Sequence, residues 1–132
     1  MIVVDSSALI AILFQEPEGE AFQAIITGRE LCFVSAVNAH ETASVLRFRS
    51  GAAAVASLWD FLRVNSITIV AFDVAQARAA ASAYNRYGKG IHSRARLNLA
   101  DCAAYALAST MNCPLLFKGD DFTHTDLVSA VK

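Results

Sequence analysis

Three carboxylates in this chain stand alone. Asp5 is the only charge between Met1 and Gln15, Glu41 the only formal charge between Leu31 and Leu46, and Asp101 the only one between Leu97 and Phe117. A carboxylate inside an apolar run is costly unless something compensates it, and none of the three has a basic partner at helical spacing. A further acidic pair, Asp120 and Asp121, follows the apolar "PLLF" near the end of the chain. Acids gathered in one place repel one another until a cation neutralises them. Oxygen-only ligands favour a hard ion, Mg²⁺ or Mn²⁺, over zinc. The chemistry such an ion brings is activation of water and neutralisation of a phosphate under attack.

A second segment complements the first. No acid lies between Asp73 and Asp101, yet Arg78, Arg86, Lys89, Arg94 and Arg96 all fall there, five of the 11 Lys and Arg residues. Within it, "NRYGKGIHSRARLN" adds His92, flexible glycines and, just upstream, Tyr84 and Tyr87. A basic loop ending just before Asp101 would hold a polyanion by its phosphates at the rim of an acidic centre, with a ring for base stacking. The plain alternative is a solvated loop whose cations balance nearby acids. Each acid has a plain alternative too. Asp5 would cap a helix, Glu41 and Asp101 would be first-turn acids favoured by the helix dipole, and Asp120 and Asp121 would cap a last short helix.

The elements that must position these residues read clearly. "IVV" is a short buried strand that delivers Asp5 to the start of a helix over "ALIAILF", with Ser6 or Ser7 available as its cap. "EGEAFQAIITG" is a second helix, stopped at Gly28, and "LCFVS" a second strand. "AVNAHETASVLRFR" and "AAAVASLWDFLRV" are helices on either side of Gly51, and "ITIVAF" is the clearest strand in the chain. "VAQARAAASAYNRY" and "LADCAAYALAST" are helices flanking the basic loop, and "LLF" is the last strand. Short apolar strands alternating with helices predict an α/β fold with a parallel sheet, a single domain over 1–132. Ligands of such sheets bind outside the carboxyl ends of the strands, where Asp5 and Asp120 would both arrive.

Bulk properties narrow the class. With a net charge of −1 the whole molecule is not a basic nucleic-acid binder, so any polyanion contact must be local. Hydrophobic residues make up 55% of the 132, more than a small interior can hold, which predicts a covered face at a dimer or partner interface. No apolar run is long enough for a membrane span, and the start carries no basic secretory leader, so a cytoplasmic location is expected. Cys32, Cys102 and Cys113 lack zinc-ligand spacing and sit among apolar residues, as buried reduced thiols do. His40, His92 and His124 form no pair that suggests zinc or a nucleophile–base couple, and His40 reads as a neutral or surface histidine.

Taken in order, "VDSSALIAIL", "HETASVL", "YGKGIHSRARLNLADCAAYALA" and "PLLFKGDDFTHTDL" resemble the PIN-domain ribonucleases, and among them the VapC-type toxins of toxin–antitoxin pairs. The resemblance spans essentially the whole chain. It implies the PIN-like fold, a twisted parallel sheet of about four to five strands flanked by helices, with acids gathered at one edge. It implies Mg²⁺-dependent hydrolysis of structured RNA such as tRNA or rRNA, with Mn²⁺ able to substitute. Asp5, Glu41 and Asp101 inherit metal and catalytic roles. The family commonly has an aspartate where this chain has Gly119, so Asp120 becomes the fourth acid, with Asp121 the alternative. Ser7 matches a hydroxyl residue near the metal, and Arg86, Lys89, His92, Arg94 and Arg96 are the RNA-binding set. A VapB-type antitoxin that lays a segment over the active site, and a homodimer, are the implied partners. Two other readings compete: a phosphoacceptor signalling domain built on Asp5, Asp73 and Lys118, and a non-catalytic RNA- or protein-binding module of the same fold.

Overall fold

The computed structural model of the chain describes residues 1–28 and 30–131. In chain order the elements are β1 (Ile2–Val4), α1 (Ser6–Leu13), α2 (Gly19–Ile26), β2 (Cys32–Ser35), α3 (Ala36–Ser50), α4 (Ala52–Val64), β3 (Thr68–Val70), α5 (Val74–Tyr87), α6 (Leu99–Met111) and β4 (Leu115–Leu116). The sheet is four-stranded and wholly parallel, in the order β3-β2-β1-β4. The first strand made is therefore central, with β2 on one side and the last strand on the other.

Strand side chains alternate between faces, so each strand feeds two cores. Ile2, Val4, Val34 and Leu116 point into a cluster with Leu9 and Ile12 of α1, Phe22 of α2, Leu46 of α3 and Leu58 of α4. Val3 and Leu115 point the other way, to Ala80 and Ala83 of α5 and Leu107 of α6. Leu9, Leu58 and Leu107 are essentially sealed from solvent, so truncating any one to Ala costs about 2–5 kcal/mol. Helix α6 is buried along almost its whole length, from Cys102 to Ala108, because its alanines let the sheet and α5 approach closely. That explains why Asp101 stands in so long an uncharged run.

The strand expected over "ITIVAF" is shorter and less buried than its composition suggests. Only Thr68–Val70 pair, in register with Phe33–Ser35, and pairing stops where Ser35 leaves β2 to cap α3. The strand is an edge strand, and Ile69 and Phe72 remain exposed. The basic segment 88–98 is an organised loop. Gly88 bridges to Leu97, Ala95 and Leu97 are fully buried, and the Nδ1 of His92 accepts the backbone N–H groups of Arg94 and Ala95 at 3.0 and 2.8 Å. Among the described residues, no helix is long and apolar enough to cross a membrane. The three cysteines are free, Cys32 and Cys102 buried and Cys113 half-buried.

Candidate metal centre

Asp5 leaves β1 and caps α1 at once. Its Oδ2 accepts the backbone N–H of Ser7 at 3.0 Å and the Ser7 hydroxyl at 2.6 Å. The cap is thus Asp5 itself, and neither Ser6 nor Ser7, because only the residue before the first turn keeps the extended backbone a cap needs. Capping and ligation do not compete for the same atom. Oδ1 of Asp5 is buried with no hydrogen-bond partner.

Ser7 has a second task. Its hydroxyl accepts the backbone N–H of Lys118 at 2.9 Å while donating to Asp5, and the Asp5 N–H donates to Leu116 O at 2.9 Å. The exits of β1 and β4 are therefore stitched together at the carboxyl edge of the sheet.

Asp101 is the third residue of α6 and half of a capping box. It accepts the Asn98 N–H at 3.0 Å, and the Asn98 side chain accepts its N–H at 2.8 Å. The first-turn role expected for Asp101 is present. For Glu41 it is not: Glu41 lies beyond the first turn of α3, half-buried, so the helix dipole does not account for it. Asp120 and Asp121 lie in an exposed run of turns that contains no helix to cap.

The acids sense one another. Burial is the main cause that lifts the Asp5 carboxyl to about 6, opposed by the Ser7 hydrogen bonds and assisted by the charge of Glu41. Burial likewise lifts Asp101 to about 7, opposed by Asn98 and assisted by the charges of Asp5, Asp121 and Glu41. Of the tail acids it is Asp121 whose charge acts on Asp101. Gly119, at a φ of +93°, adopts a backbone that an aspartate there would resist, and it turns the chain just before this pair. Among the described residues, no three His, Cys, Asp or Glu side chains are close enough to form a ready-made cage. Mutually repelling carboxylates have no reason to close on one another without a cation.

These observations fit a hard divalent ion. The candidate donors are carboxylate oxygens, one of them buried and orphaned, and Cys102, a thiol that feels the charge of Asp101, is buried and held protonated, its pKa pushed up to about 11.

The basic set divides. Lys89, Arg94 and Arg96 are exposed and form no ion pair among the described residues. Arg86 is engaged inward: it pairs with Asp126 at 3.6 Å, donates to the Tyr87 hydroxyl at 2.8 Å and lies over the Tyr87 ring at 4.7 Å. The Tyr105 hydroxyl donates to the same Asp126. Tyr87 is buried, so the stacking ring anticipated there is not presented, and the Nδ1 of His92 is committed to its own loop.

The phosphoacceptor arrangement is not assembled. Asp73, exposed, caps α5 beyond the edge strand, and Lys118 Nζ is held by Glu16 and Glu18 at 2.9 and 3.1 Å. Sequence reasoning overlooked Asn38, a fully buried polar residue of α3 at the heart of this edge. Its one signal was an amide three residues before Glu41, on the same helix face.

A three-layer α/β fold with carboxylates at the carboxyl edge of a parallel sheet defines the class, and sequence comparison names it. The model of the PIN domain matches residues 2–127, and the chain belongs to that family. It is 42% identical to the VapC ribonuclease Mb0640 of Mycobacterium bovis over 127 residues, covering 96% of each protein. Its fold is similar to that of VapC20 of Mycobacterium tuberculosis, described as a sarcin-ricin loop cleaving toxin, with a TM-score of 0.82, 15% identity and 98% of both chains covered. It is also similar to a chain of a toxin–antitoxin complex from Klebsiella pneumoniae, with a TM-score of 0.70, 18% identity and coverage of 98% and 97%.

Proposed function

We propose that this protein is a VapC-type endoribonuclease toxin, one catalytic domain that hydrolyses structured RNA such as tRNA or rRNA with Mg²⁺, or Mn²⁺ in its place. The observation that carries the reading is the orphaned, buried Oδ1 of Asp5 beside Asp101, two carboxyls whose ionisation is suppressed by burial and, in both, by the charge of Glu41, with Asp5 adding its own at Asp101. Asp5 and Asp101 hold the ion. When bound, it supplies neutralisation of the scissile phosphate and acidification of a water molecule. Glu41, half-buried on α3, orients that water or takes its proton. The tail completes the acid set, with Asp121 favoured over Asp120 by its effect on Asp101.

Lys89, Arg94 and Arg96 grip backbone phosphates on the rim. His92 holds the loop in shape, and Arg86, half-exposed just before that loop and paired with Asp126, belongs to the same basic set. A VapB-type antitoxin and a second copy of the chain are the protein partners. Phe48, Trp59 and Leu99 are exposed, Phe48 to 93%, and offer apolar surface for them to cover. The compartment is the cytoplasm.

Incubation of purified protein with total RNA and Mg²⁺, with and without excess EDTA, tests the reading. Discrete cleavage products that vanish with EDTA and in Asp5→Asn are expected. RNA left equally intact by wild type and Asp5→Asn would refute it.

A further inference from the structure

Asn38 is sealed from solvent, and its side-chain amide reaches two distant parts of the chain. Nδ2 donates to Ser6 Oγ at 3.0 Å and to Ala100 O at 3.0 Å, across 62 residues of sequence in the second case. Because Ala100 O can only accept, the amide nitrogen must face it, which fixes the orientation of the group. The Ser6 hydroxyl in turn donates to the backbone O of Asn38 at 3.3 Å, so it is held by the side-chain nitrogen and the main-chain oxygen of one residue.

Ser6 is the residue after Asp5, and Ala100 is the residue before Asp101. Glu41 rides the same helix as Asn38, three residues on and therefore on the same face. One amide thus contacts the turn that carries Asp5 and the turn that carries Asp101, from the helix that carries Glu41. A polar group this deep is expensive unless it is fully used, and Asn38 Oδ1 has no partner. An apolar residue of similar size would pack the same space without that cost.

We infer that Asn38 is a positioning residue of the catalytic centre: it sets the spacing of Asp5, Asp101 and Glu41 by tying α1, α3 and α6 together beneath them. It touches neither metal nor substrate. The inference rests on the metal-centre reading above.

The test pairs Asn38→Leu with Thr42→Val. Thr42 is equally buried on α3 and donates to Asn38 O at 2.7 Å, but among the described residues it has no hydrogen bond to the turns that carry Asp5 and Asp101. Three quantities are measured: Mn²⁺ affinity of RNA-free protein by electron paramagnetic resonance, kcat and KM for RNA cleavage, and thermal unfolding in EDTA. For Asn38→Leu the expected result is Mn²⁺ binding and kcat each weakened about 10–100-fold, with KM for RNA within about twofold of wild type. Thr42→Val is expected to move only the melting temperature.

Should Asn38→Leu fail to fold, Ser6→Ala decides, since it removes one of the two acceptors and adds no bulk. Weakening of Mn²⁺ binding by about threefold or more is expected. Lowered melting in both α3 variants, with Mn²⁺ affinity and kcat within about twofold of wild type, would overturn the role of Asn38; so would an unchanged Mn²⁺ affinity in Ser6→Ala. Wild-type protein that neither binds Mn²⁺ nor cleaves RNA would remove the metal-centre reading, and the Asn38 role with it, an outcome distinct from intact wild type with indifferent variants.

Discussion

Two aspartates in this molecule begin in the same way and end differently. Asp5 follows β1 and caps α1; Asp73 follows the β3 segment and caps α5, accepting the Gln76 N–H at 2.9 Å. Both stand at the carboxyl edge of a parallel sheet. β1 is central, however, flanked by β2 and β4, whereas β3 lies at the sheet's edge. Asp5 is consequently walled in by its neighbours, with Oδ1 buried and unpartnered, while Asp73 is exposed. The local motif makes a cap in both places. Its position in the sheet makes one of them a candidate ligand.

The sharpest way to break this comparison is to exchange each aspartate for asparagine, which caps a helix about as well but carries no charge. Asp5→Asn is expected to lose more cleavage activity than the roughly 10–100-fold that follows loss of a residue merely supporting a metal ligand. Asp73→Asn is expected to cleave at the wild-type rate. Equal effects in a quantitative cleavage assay would erase the distinction.

The next contrast concerns the cations of the loop that follows α5 and the one on α5 itself. Neutralising Lys89, Arg94 and Arg96 together to Ala is expected to raise KM for RNA about tenfold and to flatten its salt dependence, because phosphate contacts are lost. Arg78→Ala, on α5 itself, is expected to leave both unchanged. KM measured at several salt concentrations checks this.

A third expectation follows from the raised carboxyls. Asp5 and Asp101 bind protons more tightly folded than unfolded, so in metal-free protein they stabilise the fold below the ordinary value of 3.8, and that contribution is lost as pH rises through about 6 and about 7. Melting temperature in EDTA is expected to fall between pH 5.5 and 8, and to fall less in Asp101→Asn. Mn²⁺ or Mg²⁺ should restore it at the upper end, with proton release on binding visible by calorimetry in buffers of different ionisation enthalpy. A slope identical in wild type and Asp101→Asn would exclude Asp101 as its source.

The smallest effect is reserved for the other cap. Asp73→Ala is expected to cost about 1 kcal/mol of stability and no activity, read by denaturant titration.

The comparison also shows what the residues alone could and could not disclose. The isolation of Asp5, Glu41 and Asp101 in apolar runs signalled their setting, because burial of a charge leaves its mark on the surrounding composition. The helices over 52–64 and 74–87 were legible to the residue, bounded as they are by Gly51, Asn65, Asp73 and Gly88. "ITIVAF" read as the best strand because apolar, β-branched composition does not say how long a partner β2 will be. Sequence left Asp120 and Asp121 equivalent because they are adjacent; the charge of Asp121 at Asp101 is a feature of the folded chain that no residue pattern announces. Asn38 escaped notice because an asparagine within a helix ordinarily faces water; its partners are 32 and 62 residues away. Tyr87 looked available for stacking for the same reason, but it is buried against Tyr105.

The stitch between Ser7 and Lys118 has a consequence in time. Residues 1–7 are made before the rest of the domain, yet the strand that completes their surroundings spans Leu115–Leu116 and the N–H that engages Ser7 belongs to Lys118. A nascent chain halted anywhere before that point has Asp5 but not the pocket around it. Synthesis proceeds at about 5–20 residues per second, and the centre can close only once Lys118 has been added and has emerged. The order of strands in the sheet thus keeps the surroundings of Asp5 from forming until β4, the last strand of the domain, has been made and has paired with β1.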